Sequence, residues 1–328
     1  MEASYYVGID IGATFVKTGI VTRGGKLVSK DQFETAKITG PLHFVEITGK
    51  SVDRLIEAAA IEKRSVGGVG VGAPGWVDHS GGIVRELTNI PGWRDFPLAE
   101  RLRRASGLKS FIDNDANVMA LGELVHGAGR GYRNLICLTL GTGVGGAIVI
   151  DGEIHRGADG LAGEVGHMTL DREGPQCACG ARGCLEGYVG NRAIVARARK
   201  ILERRNANSG GCILLAMADN RPERITPKLL AAAAEAGDEI AIEVWRETGK
   251  ILGTALAILV NLLNPECFII GGGVARAGAI LFDHMRSTLE LLAMNQLGGT
   301  TPILEAKLGK DAGIIGAATF AMRCAKAI

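Results

Sequence analysis

The chain carries almost no net charge, +2 at pH 7 over 328 residues, and no long block of a single sign. That absence argues against a polybasic nucleic-acid or membrane-surface protein. The one basic run, RARKILERRN at 197–206, reads as the solvated face of a helix. The N-terminus, MEASYYVGID, lacks both a charged start and a long apolar segment with a small-residue cleavage site, so a cytoplasmic location is expected. Apolar runs of membrane length are missing too. LICLTLGTGVGGAIVI (135–150) is broken by glycines, and ILGTALAILVNLL (251–263) is shorter than the roughly 20 residues that span a bilayer. Both read as buried core, the second equally as an interface helix. Finally, seven cysteines is an odd count without an export signal, which favours reduced thiols or metal ligands over a disulfide framework.

What is abundant is glycine, 48 residues gathered in short clusters behind β-type runs. YYVGIDIGATFVKTGIVTRGGKLVSKDQFE reads as an antiparallel meander, followed by a helix from about Pro41 to Lys63. VGGVGVGAPG is a buried strand ending in a loop, and KSFIDNDANVMALGELVHG a short strand turning directly into a helix. The pattern then returns in LICLTLGTGVGGAIVIDGEIH, about 130 residues after the first meander, which points to an internal duplication of one αβ module. Helices are expected at about 186–206, 226–236 and from Asp238 to Asn264, then a strand in ECFIIGGGV and another near 302–307. The last helix, in DAGIIGAATFAMRCAKA, opens with small residues and should pack closely on another backbone.

Three glycine turns can bring backbone N–H groups to an anion, although tight hairpins use glycine as well. They are DIGATFVK (Asp10, Gly12, Ala13, Thr14, with Lys17 nearby), LGTGVGG (Gly141, Thr142, Gly143) and IIGGGV (Gly271, Gly272). In IDNDANVMALGE, Asp113, Asn114 and Asp115 stand between strand and helix, where capping alone would account for them. HMTLDREGPQCACGARGCLE offers His167, Cys177, Cys179 and Cys184 in a His-x9-Cys-x-Cys-x4-Cys spacing. One nitrogen and three thiolates suit tetrahedral zinc, and four protein ligands make such a site structural, with no open position for water. Glu164 and Glu186 flank this cluster in LAGEVGH and CLEGY, where a solvated loop charge and a first-turn glutamate favoured by the helix dipole would account for them, although carboxylates also accept charge-assisted hydrogen bonds from hydroxyls.

In the order of these motifs the chain resembles the ROK family of sugar kinases, within the actin, hexokinase and chaperone ATPase superfamily, over nearly its whole length. The resemblance implies an α/β fold of two ribonuclease H-like domains with a cleft between them. The expected division is 1–116 plus about 310–328 for the small domain, and 117–309 for the large one with the cysteine loop and adenosine element. It implies that Asp10 serves Mg²⁺ or its water shell, that Thr14 and Thr142 lie against the phosphates of ATP, and that IIGGGV meets the adenosine. Asp115 is then the catalytic base and Asn114 a sugar ligand. Glu164, His167 and Glu186 contact sugar hydroxyls, His167 using one imidazole nitrogen for zinc and the other for the sugar. Gly75 in GVGAPGWVD and Asn89 in LTNIPGW approach the same sugar.

The implied reaction is transfer from ATP to the 6-hydroxyl of a hexose, glucose first, with N-acetylmannosamine, N-acetylglucosamine and fructose as alternatives. The family also implies a homodimer. Two other classes compete. Repressors of the family carry a helix-turn-helix before the first phosphate loop, whereas GIDIGAT begins here at Gly8. A sugar sensor without turnover is disfavoured by Asp10, Asp115 and the four zinc positions.

Overall fold

The structure is a computed structural model and describes residues 3–87, 90, 92–205, 212–294 and 301–326. The chain opens with strands β1 (Tyr5–Ile11), β2 (Phe15–Thr22) and β3 (Leu27–Glu34), then helix α1 (Pro41–Ala58) and strand β4 (Val66–Ala73). Short strands β5 (Trp76–Asp78), β6 (Ile83–Glu86) and β7 (Arg94–Phe96) precede α2 (Leu98–Ser106), β8 (Ser110–Asn114) and α3 (Asp115–His126). A second set follows with β9 (Leu135–Leu140), β10 (Val144–Ile150) and β11 (Glu153–His155). Helices α4 (Glu186–Val189), α5 (Asn191–Arg204), α6 (Ile213–Met217), α7 (Pro227–Glu235) and α8 (Glu239–Leu263) lead to β12 (Cys267–Gly271). Helix α9 (Ala279–Leu292), strand β13 (Ile303–Glu305) and helix α10 (Ala312–Lys326) complete the set.

The two large sheets repeat one strand order, β3-β2-β1-β4-β8 and β11-β10-β9-β12-β13. In the first, β1, β2 and β3 form an antiparallel meander while β4 and β8 join in parallel. In the second, β10 and β11 are antiparallel, and β12 runs parallel to both β9 and β13. This is the duplication expected from the sequence, and the order is that of ribonuclease H-like domains. The chain forms two compact units, 1–133 with 147–163 and 306–328, and 134–146 with 164–305. Strand β10 passes from the second unit into the first. These limits differ from a division at 116/117 because α3 packs along α10 and stays with the first sheet.

In the first unit β1 shows the period of two that a strand imposes. Val7, Ile9 and Ile11 enter a core with Phe44 and Val52 of α1 and Leu98 and Leu102 of α2. Tyr6 packs with Ile314, Ile315 and Ala318 of α10. Gly8 and Gly70 let α10 lie against the sheet: a Cβ at either would come within 1.9 Å of the Ile314 carbonyl oxygen or 1.8 Å of that of Ala317. The small residues at the start of α10 thus do what the sequence led us to expect.

In the second unit α8 is capped by the Asp238 side chain, which accepts from the Ala241 N–H at 2.9 Å, and ends at Asn264 in the left-handed region (φ 43°) before Pro265. It lies against α9, α7 and α5. Some expected limits shift. The first helix stops at Ala58, not Lys63, and Ala60 turns left-handed (φ 51°). The helix expected over 186–206 breaks at Gly190, where Asn191 N–H donates to the Gly141 carbonyl at 2.9 Å. The basic run is not simply solvated: Arg197 donates to Thr248 Oγ1 and the Tyr188 carbonyl, both at 2.8 Å. Among the described residues no helix is long and apolar enough to cross a membrane.

Candidate active site

Within the first unit, Asp10 leaves β1 on the α10 side, against Gly313, where a Cβ would fall 2.4 Å from its Cγ. Lys17 of β2 pairs with it at 3.4 Å and donates to the Lys310 carbonyl at 3.2 Å. Burial raises the pKa of Asp10, and the Lys17 charge opposes that rise only in part. The turn after β1 is braced: Gly12 N–H donates to the Phe15 carbonyl at 3.1 Å and Thr35 Oγ1 to the Gly12 carbonyl at 2.7 Å. Thr35 N–H donates to the Thr14 carbonyl at 2.9 Å, and Ala13 and Thr14 are exposed at the tip.

At the β8–α3 junction Asn114 is the N-cap, its Oδ1 accepting from Ala116 N–H at 2.9 Å, so the capping role is real. The same amide reaches across: Nδ2 donates to the Gly75 carbonyl at 3.2 Å, so that Asn114 and Gly75, both expected at a sugar, are joined. Asp115 is the first helical residue and its Oδ1 accepts from Ala116 N–H at 2.8 Å. Asn89 lies outside the described residues.

Within the second unit, the Gly141–Gly143 turn closes by Gly141 N–H donating to the Gly143 carbonyl at 2.9 Å. Glu186, first residue of α4, sends Oε2 to the next N–H, that of Val144, at 2.9 Å. One oxygen of a carboxylate expected at the sugar is therefore spent on the second glycine turn. Gly272 follows β12 with φ 90° against the Leu140 carbonyl, which places the third glycine element at the end of β9.

The cysteine loop brings His167, Cys177, Cys179 and Cys184 together, their donor atoms all within 4.8 Å of one another. Cys179 and Cys184 sulfurs are 3.7 Å apart, as are Cys177 Sγ and His167 Nδ1. A disulfide needs about 2.05 Å, whereas the edge of a tetrahedron with metal–sulfur bonds of about 2.3 Å is about 3.8 Å. The donor set thus fits a tetrahedral metal ion. Hydrogen bonding from Ala181 N–H leads in holding the Cys179 thiol down at about 7, and burial leads in pushing that of Cys184 up to about 12. His167 Nε2, on the other side of the ring, lies 4.0 Å from Glu164 Oε2. The loop path depends on Gly183 (φ 68°), where a Cβ would fall 1.6 Å from the Asp171 carbonyl oxygen.

The ROK family model matches residues 6–323. The chain belongs to the ROK family. It is 37% identical over 318 residues to the glucokinase of Halalkalibacterium halodurans, covering 96% of this chain and 94% of that one. It is 36% identical over 314 residues to the glucokinase of Thermotoga maritima, covering 96% of each. The solved ROK family glucokinase from Streptomyces griseus, in complex with glucose and AMPPNP, superposes with a TM-score of 0.83 at 34% identity over 97% of this chain and 99% of that one.

Some pairings in this ROK chain escape a reading of the sequence because the partners are remote. Asp113, 3% exposed, is held by Arg156 at 2.5 Å, 43 positions away. Glu123, 1% exposed, accepts from the N–H groups of Ala128, Lys307 and Leu308 at 2.8, 3.1 and 2.8 Å and fixes the chain where it returns to the first unit. An acidic residue on the apolar face of a helix is the only signal the sequence offers for Glu123.

Proposed function

We infer that the chain is an ATP-dependent hexose kinase that phosphorylates glucose at its 6-hydroxyl. The observation that carries this reading is the Asn114–Asp115 junction, capped and tied to Gly75, in a chain similar to glucokinases over 96% of its length. Phosphoryl transfer asks mainly for alignment and charge stabilisation, with a carboxylate to take the hydroxyl proton as the O–P bond forms. Asp115 takes that proton. Asn114, Gly75 and Asn89 hold sugar hydroxyls, as do Glu164, His167 and Glu186.

Gly12, Ala13, Thr14 and Lys17 meet the phosphates of ATP, as do Gly141, Thr142 and Gly143, while Gly271 and Gly272 meet the adenosine. Asp10, a half-buried carboxylate paired with Lys17, suits Mg²⁺ or its water shell. Bound there, Mg²⁺ would supply positive charge to offset the charge of the phosphates. Zn²⁺ on His167, Cys177, Cys179 and Cys184 is structural, because four protein ligands fix the loop that carries Glu164, His167 and Glu186.

The enzyme works as a cytoplasmic homodimer in this reading. Cys177, Cys179 and Cys184 converge as thiols outside any disulfide, which suits a reducing compartment. For the dimer, α8 and α9 expose Ile258, Leu262, Leu291 and Leu292 to 43, 74, 79 and 47%, and Met294 N–H bonds Asn261 Oδ1 at 3.0 Å so that the ends of the two helices lie together. Light scattering at the mass of two chains is expected, and a monomer at micromolar concentration would remove this part.

The test is turnover of purified protein with Mg-ATP and a panel of hexoses and N-acetylhexosamines ranked by kcat/KM. Glucose should rank first. If N-acetylmannosamine, N-acetylglucosamine or fructose outranks it, the substrate is corrected within the same chemistry; no phosphorylation of any sugar by folded, metal-loaded protein leaves a sensor.

A further inference from the structure

We propose that Arg156 is a positioning residue for the catalytic junction, acting through Asp113 to fix the direction in which Asp115 leaves the start of α3. This rests on Asp115 being the base. Asp113 stands at the end of β8, opposite Gly72 of β4, with its side chain only 4% exposed. A carboxylate taken out of water there must be met on both oxygens. Oδ1 accepts from Asn114 N–H at 2.8 Å and from Asn117 Nδ2 at 3.0 Å. Oδ2 accepts from Arg156 Nε at 3.0 Å and Nη2 at 2.5 Å. The first pair stitches the last residues of the strand to the first turn of the helix. The second pair anchors that stitch to a different part of the chain.

Arg156 is itself held on several sides. Its Nη1 donates to the Ile154 carbonyl at 3.3 Å, and the guanidinium lies 5.8 Å over the ring of Phe320 of α10, an arrangement that a planar cation favours. Its carbonyl accepts from Ala162 N–H at 3.0 Å and so closes the 156–162 loop. In the same loop the Asp159 carbonyl accepts from Trp76 Nε1 at 3.1 Å, and Trp76 adjoins Gly75, whose carbonyl receives Asn114 Nδ2. The junction is thus gripped twice, through Asp113 by Arg156 and through Asn114 by the 75–76 segment, and both grips end on one loop. A structural ion pair far from the reacting residues would hold the fold. Here the Asp113 carboxylate that Arg156 holds bonds Asn114 N–H and Asn117 Nδ2, one position before and two positions after Asp115, so the pair also sets the geometry of the base.

The test measures kcat and the KM values for ATP and glucose in Arg156→Met, Arg156→Lys, Asp113→Asn and the double variant Asp113→Asn/Arg156→Met, with unfolding temperature and zinc content recorded. Arg156→Met should lower kcat at least tenfold with the KM for ATP changed less than threefold. Arg156→Lys keeps the charge but not the fork, and should recover part of that loss. The double variant should be no slower than Arg156→Met, because one linkage is broken in each. Unchanged kcat in folded Arg156→Met, or losses that simply multiply in the double variant, would overturn the proposal. Should Arg156→Met fail to fold, Arg156→Lys and Asp113→Asn decide on the same split of kcat against KM. Asp115→Ala is run beside them: if it keeps its turnover the base assignment fails, whereas an inactive Asp115→Ala beside a fully active Arg156→Met fails the positioning role alone.

Discussion

The β8–α3 junction and the cysteine loop are built on opposite principles. At the junction the protein ties down the side chains of Asp113 and Asn114 with its own groups, through the Arg156 fork, the helix cap and the Gly75 carbonyl. The cysteine loop has its path set by backbone bonds, such as Cys177 N–H to the Ala181 carbonyl at 2.8 Å and Leu170 N–H to the Gly183 carbonyl at 2.8 Å, yet three thiols and an imidazole converge with no disulfide. One region is organised before any ligand arrives. In our reading the other is finished by a metal ion, so chemistry and sugar recognition respond differently to perturbation.

The largest separation between them should come from Asp115→Ala. Loss of a general base lowers kcat by about 10² to 10⁴, while zinc content and unfolding temperature stay near those of the parent, because the Asn114 cap remains. Stripping the metal with a chelator attacks the other region. We expect glucose affinity to fall about tenfold or more with ATP affinity nearly kept, and Cys179→Ser to follow in the same direction; equal losses for both ligands would erase the distinction. Glu186→Gln probes the point where the distinction blurs, since Glu186 bonds the Val144 N–H of the second glycine turn. Loss of one charge-assisted hydrogen bond should raise the KM for glucose about tenfold, with a smaller rise for ATP. A change in the ATP value alone would assign Glu186 to the phosphate turn only.

How much of this the sequence displays follows from distance along the chain. The strand–glycine–strand repeats are local, and the repeated sheet order confirms them. The cysteine cluster is local too, its donors spread over 18 positions from His167 to Cys184, so spacing alone announces it. Hidden features depend on partners far away. Arg156 and Asp113 have no shared pattern, and Arg197 looks like surface until Thr248 and Tyr188 surround it. The break at Gly190 is invisible because its cause, the Gly141–Thr142 backbone lying against the helix start, belongs to another motif. Strands β5, β6 and β7 are too short, at 3, 4 and 3 residues, for a period of two to show. Asn114 caps the helix, as its position in the sequence allows, and its amide also reaches the Gly75 carbonyl, a contact between segments 39 positions apart that no local pattern displays.

The division of labour is tested most directly by titrating glucose into Asp115→Asn in the presence of a nonhydrolysable ATP analogue and measuring its turnover with ATP in parallel. We expect a glucose dissociation constant within about threefold of the parent, since the loop carrying Glu164, His167 and Glu186 is untouched, together with almost complete loss of phosphorylation. Turnover close to that of the parent, or a glucose affinity that collapses with the activity, would contradict it.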